Sequence, residues 1–559
     1  MQYPAANGQL TLLAAGNIKA DQIFMSDADS AILPGLNNPV RSPAQSNILR
    51  LITTHASTPL HKNDAIPVYI VAGKSIDFFK SSGQVFTLNT PKQTHVYAGL
   101  DITNLDASIQ NLSPSDFSII AAGRKLTYNV SSAKGIRIAG PGELLVTAGG
   151  DIDLGRSGGI QSIANTDNTA LVPNGANVTV GAGFAGGVAV SAFIAKYINP
   201  TGSKASAETK AALTEYVRKI KSDPSLSDAD AWSAFAALDT QHQTPFAFRV
   251  FSDELRESRK GPERGDAAIA VLFPGQNYDG DLLMPQSQIF TTSDSSIDLL
   301  VPGGVINAGL AGASSISAQT NANGIVSKKG GEIRAFADAG FFVNQSKVIT
   351  QYGSDIVVWV TKGDIDAGRG STTALSAPQR IVSTDVDGNT TQEFNGVAVG
   401  SGIRAQSFDP DGPSGPGAAP GVGTVVLRTH RGTLNAADAG IEAGNLDVSA
   451  LVVLGTDAIQ VSGSVSGVNL NASTLAPPPS PSVDQKATEE STKSLNKNIG
   501  DTQKGLDDAK KALANFKPSF ITVEVVGFGE TGNANTGECR REDGSIDPAC
   551  KQRLTEKEI

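Results

Sequence analysis

From the first residues to about position 190, short apolar runs alternate with glycine-centred turns. A small residue and Gly, then a polar residue and an alternating strand, recur at Ala15-Gly16-Asn17-Ile18, Ala72-Gly73-Lys74-Ser75-Ile76, Ala98-Gly99-Leu100-Asp101-Ile102 and Ala122-Gly123-Arg124-Lys125-Leu126. The last three glycines are 26 and 24 residues apart (99 − 73 and 123 − 99). Alternation marks strands with one face in a core, and a strand-rich, Gly-punctuated period in the twenties predicts β-solenoid coils. A more distant repeat agrees: Gly150-Asp151-Ile152-Asp153-Leu154-Gly155-Arg156 returns as Gly363-Asp364-Ile365-Asp366-Ala367-Gly368-Arg369, each after an apolar strand. The expected fold is all-β, a right-handed parallel β-helix whose glycines sit at coil corners.

Between about 200 and 260 the period changes. Leu213, Tyr216, Val217 and Ile220 fall at i, i+3, i+4 and i+7, the stripe of an amphipathic helix. Ser227 followed by Asp230 reads as the capped start of a second helix through Trp232, Phe235 and Leu238. Phe248, Phe251 and Leu255 mark a third, and strands are expected to resume at Ala267–Phe273. A Gly/Pro-rich loop covers Asp409–Gly423, and Ala476-Pro477-Pro478-Pro479-Ser480-Pro481 is a stiff linker. The expected organisation is coils over 1–199, an α-helical insertion at 200–262, and coils again over 263–473. A Pro-rich linker with a polar helical or disordered segment follows at 474–518, then a terminal strand and cysteine-containing tail at 519–559. Some 400 residues of coil, stacked at about 4.8 Å per turn, would make a shaft on the order of 80–100 Å.

Composition supports a solenoid. The 559 residues include 59 Gly, with 18% charged and 6% aromatic residues, against about 25% charged and 7% Gly in ordinary globular chains. The apolar fraction of 40% suffices for a continuous core, which in a solenoid lengthens without thickening. A net charge of −10 and a pI of about 5.1 argue against a nucleic-acid partner. No apolar run is long enough for a membrane-spanning helix. Met1-Gln2-Tyr3-Pro4 lacks the basic and apolar regions of a signal peptide, which suggests a C-terminal piece of a longer exported chain. Five hundred residues without a thiol suit passage through an oxidising compartment.

Candidate chemistry is sparse. Asp151/Asp153 and Asp364/Asp366, with Arg156 and Arg369 nearby, resemble the acid clusters of polysaccharide-degrading β-helix enzymes. Yet the motif occurs twice, and side chains at i and i+2 of a strand share a face whatever their purpose. A corner is built repeatedly and an active site once, so turn capping is the favoured reading. His55, His61, His95, His242 and His430 share no ligand spacing, and no Cys-x-x-Cys occurs. No phosphate-binding loop, dinucleotide fingerprint or nucleophile elbow occurs either. No catalytic, metal or cofactor site is therefore expected. Arg264-Gly265-Asp266 spells the integrin-recognition tripeptide and is expected in an exposed loop between the insertion and the next strand, though coincidence is the stronger reading of three letters in a Gly-rich chain.

Several segments resemble the C-terminal region of filamentous-haemagglutinin-like exoproteins of two-partner secretion systems. They are Gly363–Arg369, Ala443–Asp457, Ala267–Pro274 and Ile521–Gly529. The resemblance covers roughly the last 300 residues in detail and the first 200 in style. It implies a long β-helical adhesin on the outer face of a Gram-negative outer membrane, exported through a β-barrel partner and binding a host cell, another bacterium or a glycan. The secretion domain of such exoproteins is not in this chain. The resemblance also suggests a role for Cys539 and Cys550: a disulfide-closed terminal loop that anchors the fibre at its pore, the alternative being an incidental oxidised tail. Two other roles compatible with the fold are a polysaccharide-degrading enzyme and the scaffold of a contact-dependent toxin-delivery protein.

Overall fold

The structure, a computed structural model, divides into two compact units, Met1–Ile499 and Gly500–Ile559. It describes residues 5, 7–20, 22–27, 59–78, 87–129, 134–165, 171–275, 278–309, 324–369, 400–407 and 420–470, and the backbone of 379–384 and 390–395. All lie in the first unit. The expected linker, terminal strand and cysteine tail lie outside the described residues, as does most of the 409–423 loop.

The described chain winds as a parallel β-helix with three faces. First-face strands open coils 1 to 11 in order: Thr11–Ala14, Val68–Ala72, Thr94–Ala98, Phe117–Ala122, Glu143–Ala148, Asn177–Gly181, Ile297–Val301, Ile333–Ala337, Ile356–Val360, Thr424–Asn435 and Asn445–Leu454. Short second-face strands follow at the next corner, from Ile18–Lys19 in coil 1 to Asp364–Asp366 in coil 9. In coils 10 and 11 one long strand runs through both faces, with a register shift between Thr429 and Thr433. The third face is an eleven-stranded parallel sheet from Ile23–Phe24 to Ile459–Val461. Val465–Ser466 pairs with Leu446–Asp447 and begins a twelfth coil.

Inward side chains stack in columns. On the first face Leu12, Ile70, Val96, Ile120, Val146, Val180, Leu299, Ala335, Val358, Leu427 and Val448 follow one another coil to coil. The second-face column runs Ile18, Ile76, Ile102, Leu126, Ile152, Leu282, Ile306, Phe341, Ile365, Leu434 and Val453. Together they form one continuous core. Ile152 and Ile365, the centres of the two repeated motifs, occupy the same column.

The corner glycines stack as well. A Cβ on Gly73 would meet the carbonyl oxygen of Ala15, one on Gly99 that of Gly73, one on Gly123 that of Gly99, and one on Gly149 that of Gly123. The period of the sequence is thus the pitch of this corner: each carbonyl occupies the space a side chain would need. In the first coil that place is held by Ala15, and Gly16, one residue further on, has nothing within 4 Å.

Three expectations require correction. Eleven coils at about 4.8 Å give a shaft of about 50 Å, shorter than the length estimated from coil residues, because loops and an insertion take much of the chain. The strand expected at Ala267–Phe273 is instead a helix, Glu263–Leu272. A short apolar run fits either period, and here Ala268 and Leu272 pack on one side. Helices extend from Val190–Phe193 through Leu272, beyond the 200–262 expected, and an antiparallel hairpin, Gln379–Thr384 with Thr390–Asn395, interrupts coil 9.

Gly123→Ala is expected to lower the unfolding free energy by about 2–3 kcal/mol, as overpacking against backbone does, and Gly16→Ala to change it by less than about 0.5 kcal/mol. Urea denaturation of the two variants measures the contrast.

Candidate functional site: a helical strut on the first face

The insertion leaves coil 6 after Gly181 and returns at Leu282–Leu283. It contains α1 (Val190–Phe193, continued by a π-turn over Ile194–Ile198), α2 (Ala207–Lys221), α3 (Asp228–Ala236), α4 (Thr240–Arg256) and α5 (Glu263–Leu272). Ser206, Ser227 and Asp239 cap α2, α3 and α4 by accepting from the backbone N–H of Thr209, Asp230 and His242, supplying partners for first-turn amides. The apolar stripes form a second core of Phe193, Tyr197, Phe235, Phe246, Phe251 and Phe273, joined by Leu300, Phe336 and Trp359 from the outer side of the first face. Strands there are covered on both sides, so Ile297–Val301, Ile333–Ala337 and Ile356–Val360 are buried throughout.

The longest helix, α4, lies along the stack. At its start the His242 Nε2–H donates to the Ser115 carbonyl at 2.8 Å, and Gln241 donates to the Tyr97 hydroxyl at 3.4 Å. Midway, Phe251 meets Phe336 of coil 8 edge to face, centroids 5.2 Å apart. At its end the Arg256 carbonyl accepts from Arg428 of coil 10 at 2.9 Å. Beyond it, the Ser258 carbonyl accepts from His430 at 2.8 Å, and Arg259's carbonyl accepts from Ser449 of coil 11 at 2.8 Å. Seventeen residues span about 25 Å, close to the six coil steps of about 4.8 Å between coils 4 and 10.

Charges fasten the strut. Arg428 is fully buried and engages both oxygens of Asp447, at 3.2 and 2.8 Å, as well as the end of α4. A guanidinium at a helix C-terminus also favours the helix dipole. Arg334 makes a two-pronged bond to Asp298, at 2.6 and 2.8 Å, and reaches Glu332 at 3.2 Å. Arg256 of α4 closes the network on Glu332 at 3.1 Å and Asp355 at 3.0 Å. Burial opposes the charge on Arg334, yet Asp298 and Glu332 outweigh it and hold its pKa above the ordinary value. Removing one member would strand a buried charge, which typically costs about 3–5 kcal/mol. Glu143, under α2, is different. Burial pushes its carboxyl from 4.5 up to about 7, against a hydrogen bond from Asn177.

The structure gives the tripeptide a different setting from the loop expected. Arg264, Gly265 and Asp266 form the first turn of α5. Arg264 holds both oxygens of Glu254 at 2.9 and 2.7 Å, Gly265 lies where a Cβ would strike the Trp359 ring, and Asp266 pairs with Arg431 of coil 10. All three residues serve the insertion's packing.

The repeated acids do not converge. Asp151 and Asp364 each accept the amide N–H of the next coil, from Asp281 at 3.1 Å and Thr433 at 2.7 Å. Asp153 and Asp366 each accept from the glycine two residues on, Gly155 at 2.9 Å and Gly368 at 2.7 Å. The two motifs occupy equivalent corners, and strand pairing sets Gly340 and Thr433 beside Asp364, and Phe342 and Asn435 beside Asp366. Arg156 and Arg369 are exposed. His242 and His430 bond backbone carbonyls between strut and shaft, His95 bonds the Phe117 carbonyl of the next coil, and His61 faces Asp64 at 3.2 Å near the first coils. Among the described residues no three His, Cys, Asp or Glu side chains are grouped to hold a metal ion, and no helix is long and apolar enough to cross a membrane. His55, Cys539 and Cys550 lie outside the described residues.

Trp359, Arg428, Arg334 and Asp298 were not singled out from the sequence. Their signal was present: Ile356-Val357-Val358-Trp359-Val360 does not alternate, as expected of a strand covered on both sides, and Asp298 interrupts another such run.

Residues 353–470 match the model of a family described as filamentous haemagglutinin family outer membrane protein. The resemblance read from the sequence is borne out over that segment, which begins at the turn before coil 9 and holds Trp359, Arg428 and Arg431. No curated protein matches the chain, and no solved structure does.

Gly265→Ala should cost about 2 kcal/mol by forcing a methyl against Trp359. In a Trp359→Ala background the same change should be near neutral, a coupling that a double-mutant cycle in urea reads directly. Glu143 gives a pH test. Its folded value lies above its ordinary one, so the stability it contributes is present below about 4.5 and is withdrawn as pH rises through about 7. Glu143→Gln should match the parent at pH 4 and exceed it at pH 8 by up to about 3 kcal/mol, measured by melting across that range.

Proposed function

We propose that the chain is a non-enzymatic adhesin segment, a stack of β-coils displayed outside the cell that attaches its bearer to other cells or surfaces. The observation that carries this reading is the match of residues 353–470 to the filamentous haemagglutinin family. That family's description as an outer membrane protein supports a secreted or surface location. Export through an outer-membrane β-barrel partner follows from the same family, and the ligand would be a host cell, a neighbouring bacterium or a glycan. The fold agrees with display: three long faces offer area, and the repeated acids hold backbone amides instead of meeting in one cleft.

Beads coated with the purified protein should bind epithelial or bacterial cells saturably and release no reducing ends from plant or bacterial polysaccharides. Asp266→Glu should leave attachment unchanged, because the tripeptide is engaged in packing. Polysaccharide cleavage abolished by Asp364→Asn would overturn the reading in favour of an enzyme, and loss of attachment in Asp266→Glu would return the tripeptide to an adhesive role.

A further inference from the structure

The outward residues of the first face form a column that continues through the whole stack: Leu13, Val71, Tyr97, Ala121, Thr147 and Gly181 in coils 1 to 6, then Leu300, Phe336, Trp359, Arg428 and Ser449. From coil 6 onward the insertion covers it, with Phe184 against Gly181 and with Leu300, Phe336, Trp359 and Arg428 buried. Over coils 1 to 4 the column stays apolar and is more open: Val71, Tyr97 and Ala121 are half-buried and Leu13 is 72% exposed, with Tyr69 half-buried beside them, while on the flank towards α4 His95, Phe117 and Ile119 are already buried. A sheet face that meets water ordinarily carries polar residues at outward positions. These coils instead carry the residues of a covered one.

We propose that this stripe is a docking site for an amphipathic helix of another polypeptide, lying in line with α4 beyond its N-terminus. Two observations select that occupant. The stripe is continuous with an interface already filled by a helix: α4 begins at its edge, where Gln241 bonds the Tyr97 hydroxyl. Its size is the second. Four strands at about 4.8 Å and the two or three residues across that are left beside the start of α4 cover on the order of 150 Å², far below the roughly 800 Å² per partner of a stable dimer and near the footprint of one helix about 10 Å wide. Tyr69 and Tyr97 are held edge-on to His95, at 5.2 and 6.0 Å, so the rings present a fixed surface. The proposal does not depend on the adhesive reading, since peptide binding and cell attachment are separate measurements.

The test uses the full chain and a fluorescent peptide copying Thr240–Arg256, whose own site within the protein is already occupied. Anisotropy should show saturable binding in the micromolar range, weakened at least tenfold by Val71→Asp and by Leu13→Asp, with melting temperatures unchanged because both side chains point outward. Absence of binding, or binding insensitive to both substitutions, overturns the proposal. So does sedimentation of the unliganded protein as a dimer that Val71→Asp dissociates, which would make a second copy the occupant. Binding of neutral oligosaccharides, lost in Tyr97→Ala while the peptide fails to bind, would overturn it in favour of a sugar.

Discussion

A parallel strand leaves its amides and carbonyls to its neighbours, so each coil of this stack depends on the coil before and after it. Backbone pairing alone would leave the corners loose, and there side chains complete the work. Asn17 accepts the amide of Ser75, Asp101 that of Lys125, Asp151 that of Asp281, Asp281 that of Val305, and Asp364 that of Thr433. Asn177, Asp355 and Asn445 do the same at first-face strand starts, for Ser296, Thr424 and Ser464. In every case the acceptor belongs to the earlier coil and the amide to the later one. The staple has a direction, and it accounts for a repeated acidic motif without any appeal to catalysis.

Such a stack is coupled only between nearest neighbours, and distant coils would open independently. The strut changes that. Because α4 touches the turn before coil 4 at Ser115 and coil 10 at Arg428, the coils between cannot separate without breaking contacts at one of its ends. The contacts are of two kinds. Aromatic packing on Leu300, Phe336 and Trp359 supplies burial, and the Arg334–Asp298 and Arg428–Asp447 pairs fix register, since a charge buried one coil out of place would be unpaired.

The coil architecture was legible because the corner glycine is a steric requirement in coils 2 to 5, where its spacing is imposed on the sequence turn after turn. Gly73, Gly99 and Gly123 recorded the pitch before any coordinate did. The insertion was legible as helices, since Leu213, Tyr216, Val217 and Ile220 keep the helical period, but where they dock was not. Which residues of a strand face outward toward a partner is a question of tertiary contact, and Trp359 reads as ordinary core until its side of the sheet is known. The strand assigned to Ala267–Phe273 failed for a related reason: seven mostly apolar residues carry no period, and only Gly265 against Trp359 explains why a helix is seated there. Arg264-Gly265-Asp266 was legible as letters and misleading as context.

Positions that recur at every coil are accounted for by stacking, so distinctive behaviour has to be sought where the repeat is broken. The insertion is such a break, yet most of its chemistry turns inward: its aromatic residues, the bonds of His242 and His430, and the Asp266–Arg431 pair serve attachment to the shaft, and the Arg264–Glu254 pair ties α5 to α4. Covering the first face from the start of α4 at coil 4 onward withdraws that area from any ligand. Among the described residues, what remains for contact is the second and third faces and the open part of the first face in coils 1 to 4, where the apolar column continues past the N-terminus of α4 and Leu13 is 72% exposed. A chain that builds a strut to cover one half of a hydrophobic column and leaves the other half open has divided a single surface between internal bracing and external contact.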